Sequence, residues 1–176
     1  MDNHLVLAAL GADKTGIVDE IARSASESKC NIADSRMVVM GQEFSLIMMV
    51  SGTWDAIAKF ETQVPMLERR LNLSIITKRT AQREPQRESM PYNVDVIALD
   101  NPGIVHEIAN FFASQGINIE SLETSNYAAP HTGSPMFALS MVVNIPAKVH
   151  LASLREGFLM FCDDRNLDAI LEPYKN

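Results

Sequence analysis

Cysteine is scarce in this sequence: only Cys30 and Cys162 are present, far apart and without C-x-x-C spacing. That excludes a disulfide framework and a zinc knuckle, and two buried apolar thiols in a reducing compartment are expected instead. Aromatic residues are few, at 6%, and the most conspicuous of them, Trp54 and Phe111-Phe112, read as packing groups. Long apolar runs are missing, and none approaches the roughly 20 residues that span a bilayer. The chain also lacks GxSxG, P-loop, GxGxxG and HExxH strings. Its four histidines, His4, His106, His131 and His150, have neither metal spacing nor a partner nucleophile. No metal, no cofactor and no catalytic residues are therefore expected, and the chain reads as a non-enzyme.

Basic side chains are the next shortage. The net charge is −7, and it is unevenly spread. Residues 1–80 hold 9 basic and 10 acidic side chains, whereas residues 92–176 hold 4 and 10. Binding to nucleic acid is driven by clustered Lys and Arg that displace counterions from phosphates. The opposite balance here excludes direct nucleic-acid contact as the expected mode of action.

What is present is the composition of a soluble globular protein, 47% hydrophobic and 21% charged. The opening "MDNHLVLAAL" is acidic where a signal peptide would be basic, so it reads as a first strand and points to a cytoplasmic location.

The chain also repeats itself. "DKTGIVDEIARSASESKCNI", from Asp13, returns 87 residues later as "DNPGIVHEIANFFASQGINI", from Asp100, without a gap and with nine of twenty positions identical. Each copy carries the same order of signals. In the first, the apolar run "HLVLAAL" leads into a helix whose face is Ile17, Val18, Ile21, Ala22 and Ala25. Two strands, "NIADSRMVVMG" and "EFSLIMMVSG", follow about a tight turn at Gly41-Gln42. A second helix begins at Trp54 behind the cap Thr53 and is expected to be split by Pro65. "LSIITKRT" closes the unit. Met37, Met40, Met48 and Met49 are read most simply as core filler, with an adaptable partner surface as the alternative.

The second copy runs from "YNVDVIAL" through a helix burying Ile104, Val105, Ile108, Ala109 and Phe112 to two strands, a helix from about Ala147 to Asp163, and "LDAILEPYK". The tight hairpin of the first copy is replaced by the longer loop "YAAPHTGSP". The expected organisation is domain 1–80, a polar linker "AQREPQRESMP" at 81–91, and domain 92–176. Twice βαββαβ predicts an α+β chain of two tandem ferredoxin-like domains, each an antiparallel four-stranded sheet with helices on one face.

The repeated loop has a chemistry of its own. In "DNPG", Asn101 suits an N-cap and Pro102 the first helical position, and Gly103 clears the space where the helix amides emerge. In "DKTG", Lys14 and Thr15 take the middle places between Asp13 and Gly16, with Thr15 a cap in place of Asn. Free amides and the positive end of a helix dipole receive a carboxylate. Asp13 and Asp100 offer oxygens to an ammonium. Asn31 and Asn118, at the following strand start, are expected to return toward the adjacent edge or a partner sheet. Together these groups suit a small α-amino acid. Each also has a purely structural reading: Asp as a cap, Gly as a turn, Asn as a turn former.

"GADKTGIVDEIA" and "ALDNPGIVHEIA", each closed by "NI", resemble the G-x-D-[KR]-x-G-[IL]-[VL] signature of ACT domains, which are amino-acid-binding regulatory modules. The resemblance covers nearly the whole chain except the linker. It implies ligand binding at Asp13, Lys14, Gly16 and Asn31, and at Asp100, Asn101, Gly103 and Asn118. The second copy departs from the signature, with Asn101 where the basic residue belongs. Two such domains without an attached enzyme imply a regulator that responds to glycine. It would repress glycine-cleavage genes by binding a LysR-type activator rather than DNA, with homodimer formation compatible. The alternative is a regulatory or interaction subunit of a separately encoded amino-acid enzyme, with or without a ligand.

Overall fold

The computed structural model describes residues 3–81 and 89–175. The chain divides into two compact units, which are treated separately below. The first contains β1 (Asn3–Ala12), α1 (Ile17–Glu27), β2 (Asn31–Met40), β3 (Glu43–Gly52), α2 (Trp54–Leu71) and β4 (Ser74–Thr80). The second contains β5 (Ser89–Leu99), α3 (Ile104–Ser114), β6 (Asn118–Ala128), β7 (Pro135–Pro146), α4 (Leu151–Asp163) and β8 (Asp168–Pro173). The sheets are antiparallel, in the orders β2-β3-β1-β4 and β6-β7-β5-β8. Each sheet is the ferredoxin-like sheet expected from the sequence.

Period-two alternation decides which face is covered. In β1, Leu5, Leu7 and Ala9 are buried and lie opposite Val50, Met48 and Leu46 of β3, which are buried too. Against them pack Ile17, Ile21 and Ala25 of α1 and Ile57, Phe60, Val64 and Leu67 of α2. The second unit repeats this scheme with Val94, Val96, Leu139, Met141 and Val143 under Ile104, Ile108, Phe112, Leu154 and Phe158. Phe112 and Phe158 meet with ring centroids 5.1 Å apart, so Phe112 is a packing group as expected. The thiols of Cys30 and Cys162 are buried.

Several local expectations are corrected. α2 is continuous through Pro65. An interior proline costs about 3 kcal/mol. Beyond it the same helix still buries Leu67 and packs Leu71 against the core, and burying a side chain of this size is worth about 1.5–3 kcal/mol, so continuity wins. α4 starts at Leu151, not near Ala147: Val149 N–H bonds Pro146 O at 2.9 Å in a preceding turn, and His150 caps the helix. Val18 and Val105 are exposed, because three apolar positions per helix already span the contact with the sheet. Met48 is core, but Met37 and Met40 stand on the exposed edge strand β2. Of the expected linker, residues 82–88 lie outside the described residues. Ser89, Met90 and Pro91 belong to β5, paired with Pro146, Ile145 and Asn144. Pro91 is tolerated there because the β5–β8 pairing starts only at Tyr92.

Candidate functional site

Both aspartates of the repeated string lie at the same place in their units. Asp13 follows the last residue of β1, and its N–H donates to Gln42 O at 2.9 Å. Asp100 follows β5, and its N–H donates to Pro135 O at 3.0 Å. The backbone of each loop is thus pinned to the end of the neighbouring strand pair. Asp13, Lys14, Thr15, Asp100 and Asn101 are exposed.

The helix starts differ from the expected capping. The N-cap of α1 is Gly16, at φ 94°, and that of α3 is Gly103, at φ 100°. Neither helix has a side-chain cap, so Thr15 and Asn101 do not cap and Pro102 lies in the turn before the helix. The chain must enter each helix through a left-handed residue, and glycine alone takes that geometry without penalty. The carbonyls of Gly16 and Gly103 accept the first helical bonds, from Glu20 and Glu107, both at 3.0 Å. The amides of Ile17, Val18 and Asp19, like those of Ile104, Val105 and His106, have no carbonyl four residues back within the helix. A Cβ at Gly16 or Gly103 would meet nothing within 4 Å, so open space lies over both helix starts.

The acidic side chains of the first turns are engaged on their own helices' flanks. Arg23 pairs with Asp19 and, at 3.3 Å, with Glu20, which Arg70 also holds. The pairing with Asp19 raises the guanidinium pKa of Arg23. In the second unit Arg165 bonds Glu107 at 2.7 Å and stacks over the Phe161 ring at 4.0 Å. These carboxylates are tied to arginines, and the positive end of each helix dipole lies at its loop.

The two loops are not equivalent. Asn126 Nδ2 donates to Asp100 Oδ2 at 2.8 Å. Asn126 lies opposite Phe137, and the residue in the matching register of the first unit, opposite Phe44, is Val39. Among the described residues, the carboxylate of Asp13 has no side-chain donor of this kind, and Lys14 has no ion-pair partner. Sequence reading missed Asn126. Its signal was a polar residue replacing a valine at a constant offset of 87, on a strand that was read only for its apolar pattern.

Asn31 and Asn118 are not brought to the loops of their own units. Asn31 pairs with Ser51, level with His4, nine residues before Asp13. Asn118 pairs with Asn144, level with Pro91, nine residues before Asp100. At about 3.3 Å per residue each asparagine is roughly 30 Å from its aspartate. A helix that runs antiparallel to the first strand delivers the next strand start to the far end of the sheet, so no pocket within one unit contains both groups.

Other polar candidates have structural roles. His150 Nδ1 accepts from Ser153 N–H at 3.4 Å and caps α4. Trp54 is exposed, with the Arg79 guanidinium 5.5 Å from its ring centroid. Burial pushes both thiols toward the neutral form, with Cys162 raised to about 11 by burial first and the nearby Asp163 charge second. Among the described residues no group of three His, Cys, Asp or Glu could hold a metal ion, and no helix is long and apolar enough to cross a membrane.

Comparison with known proteins shows the family and the fold. The ACT domain family matches residues 3–78. The chain is 34% identical over 166 residues to the glycine cleavage system transcriptional repressor of Escherichia coli (strain K12), covering 93% of this chain and 86% of that protein. The Shigella flexneri protein of the same name gives the same figures. A crystal structure provisionally named as a glycine cleavage system transcriptional repressor superposes with a TM-score of 0.73 at 30% identity, over 100% of this chain and 99% of that one. An unknown protein from Galdieria sulphuraria reaches a TM-score of 0.81 at 23% identity, covering 99% of this chain and 100% of its own, a likeness of fold alone.

Proposed function

Because this chain belongs to the family of tandem ACT-domain proteins that includes the glycine cleavage system transcriptional repressors, we propose that it is a non-enzymatic, amino-acid-sensing transcriptional regulator. In this reading it represses glycine cleavage system expression by binding a LysR-type activator, and glycine is the effector. The observation that carries the proposal is the pair of helix-start loops, where a fixed aspartate stands beside uncapped amides under open space. The amides and the helix dipole receive the carboxylate of the amino acid, and the aspartate receives its ammonium. The open space admits a ligand without requiring a side-chain pocket, which suits glycine. The first loop is the stronger candidate, because Asp13 is not shared with an asparagine and Lys14 adds a cation for the ligand carboxylate.

The acidic second unit supports a protein partner over an operator, since phosphate contacts need the cations it lacks. Glycine acts by differential affinity for the free and partner-bound states.

The test is a thermal-unfolding series with glycine, alanine, serine and no ligand, followed by titration of a purified LysR-type activator with and without glycine. A midpoint rise specific to glycine and a glycine-dependent change in partner affinity are expected. If no amino acid moves the midpoint, the sensing proposal fails. The loops are then structural turns, a reading that the left-handed φ of Gly16 and Gly103 favours.

A further inference from the structure

The uncovered faces of the two sheets differ in a way that the helix-covered faces do not. On the first sheet, the cross-strand row through its centre is Arg36, Ile47, Ala8 and Ile76, running over β2, β3, β1 and β4. The corresponding row of the second sheet is Glu123, Ser140, Asp95 and Ile170. One row on, Lys78 of the first sheet pairs with Val6, and in the second sheet Glu172 pairs with Asn93. At equivalent positions, then, Arg36 is matched by Glu123 and Lys78 by Glu172. The strands of the second sheet contain no Lys or Arg at all.

Shape follows the same division. The first face projects Ile47 and Ile76, which are 52% and 73% exposed. The second face has Ser140 where the first has Ile47. A cavity of about 400 Å³ opens there, lined by Asp95, Ile97, Glu123, Ser125, Ala138 and Ser140. Ile97 and Ile170 at its margin are 46% and 59% exposed.

We propose that the uncovered face of the first sheet in one chain docks on the uncovered face of the second sheet in a second copy, reciprocally, to give a closed two-fold dimer. Ile47 and Ile76 enter the shallow cavity over Ala138 and Ser140, while Lys78 and Arg36 face the acidic side chains Asp95, Glu123 and Glu172. Four strands at about 4.8 Å spacing and about six residues of 3.3 Å make a face of roughly 400 Å². Two reciprocal contacts therefore bury on the order of 1,500 Å², the size of a standard specific interface. Exposed isoleucines on both faces form the kind of apolar surface that a docking partner covers.

The experiment is sedimentation equilibrium of the full chain, with circular dichroism to verify that each variant is folded. The wild type is expected to show a concentration-dependent monomer–dimer equilibrium that weakens with salt. Ile76→Asp on the first face and Ile97→Asp on the second should each give monomer. Mixing those two variants should restore association, because one of the two contacts in the heterodimer is intact. Lys78→Glu should weaken the dimer at least tenfold, and adding Glu172→Lys should recover it. A wild type that stays monomeric up to millimolar concentration would overturn the proposal. So would loss of the dimer in Ile76→Asp but not in Ile97→Asp, which means self-pairing of the first sheet. So would a dimer indifferent to all of these changes, which means another surface.

Discussion

Asn126 and Asp100 are joined by a 2.8 Å hydrogen bond, while the residue at the matching register of the first unit is Val39, whose side chain has no donor to offer Asp13. This difference, beside that of Lys14 and Thr15 against Asn101 and Pro102, separates two loops that share their cap glycine and their backbone anchoring. A carboxylate already accepting a neutral amide is a poorer receiver for an ammonium, because the ligand must displace or share that bond.

It follows that the two aspartates should respond unequally to substitution. With glycine at about 100 times its dissociation constant, a site that binds only the native state adds about 2.7 kcal/mol. Asp13→Ala is expected to abolish the midpoint rise, Asp100→Ala to leave most of it, and Val39→Asn to reduce it by giving Asp13 a competing partner. Differential scanning fluorimetry against each variant's own ligand-free midpoint reads this directly. Equal losses from Asp13→Ala and Asp100→Ala would remove the asymmetry from the account.

Gly16 and Gly103 give a second prediction, one that needs no ligand. An L side chain in the left-handed region costs about 1–2 kcal/mol. Because a Cβ at either position meets nothing within 4 Å, no steric clash adds to that cost. Gly16→Ala and Gly103→Ala should each lower stability by about 1–2 kcal/mol in denaturant titration. For a domain of this size that is a fall of roughly 4–16 °C in the midpoint. A neutral Gly16→Ala would mean that the helix start relaxes to another conformation.

The fold was legible because apolar strand runs such as "HLVLAAL" and the 3.6-residue face Ile17-Ile21-Ala25 mark their elements plainly, and because the duplication reads each one twice. The site was less so. Asn101 and Pro102 have ideal local chemistry for a helix start, but the chain turns once more and Gly103 takes the cap, a choice set by backbone geometry rather than side-chain preference. Asn31 and Asn118 were grouped with the aspartates by motif, and only the strand register shows that each lies a sheet length away. Met37 and Met40 looked like core because composition cannot tell an edge strand from a covered one.

Pro65 supplies a third prediction. It denies Glu61 O its helical donor in the middle of an 18-residue helix whose far end still buries Leu67. Pro65→Ala keeps the packing and restores that bond, so it should raise stability by about 1–3 kcal/mol. The same denaturant titration measures the change. A drop in stability would show that the helix is shaped around the ring, with Arg69 Nε on Pro65 O at 3.2 Å as part of that shape.

Cys162 makes the last prediction, about alkaline pH. Burial among Phe158, Phe112 and Leu154 disfavours its thiolate and raises its pKa from 9.0 to about 11, with Asp163 adding to the effect. The folded state therefore binds the thiol proton more tightly than the unfolded chain does. Its stabilising contribution is complete below pH 9 and is lost progressively as pH rises through 9 to about 11. Urea titrations of wild type and Cys162→Ala across that range should show a steeper alkaline loss in the wild type. The two curves should be parallel below pH 8, separated by the packing cost of the truncation. At pH 8 the native thiol should also resist alkylation and become reactive on unfolding. Rapid modification of Cys162 in the native protein, or parallel stability curves up to pH 11, would show that the thiol is not held neutral by the core.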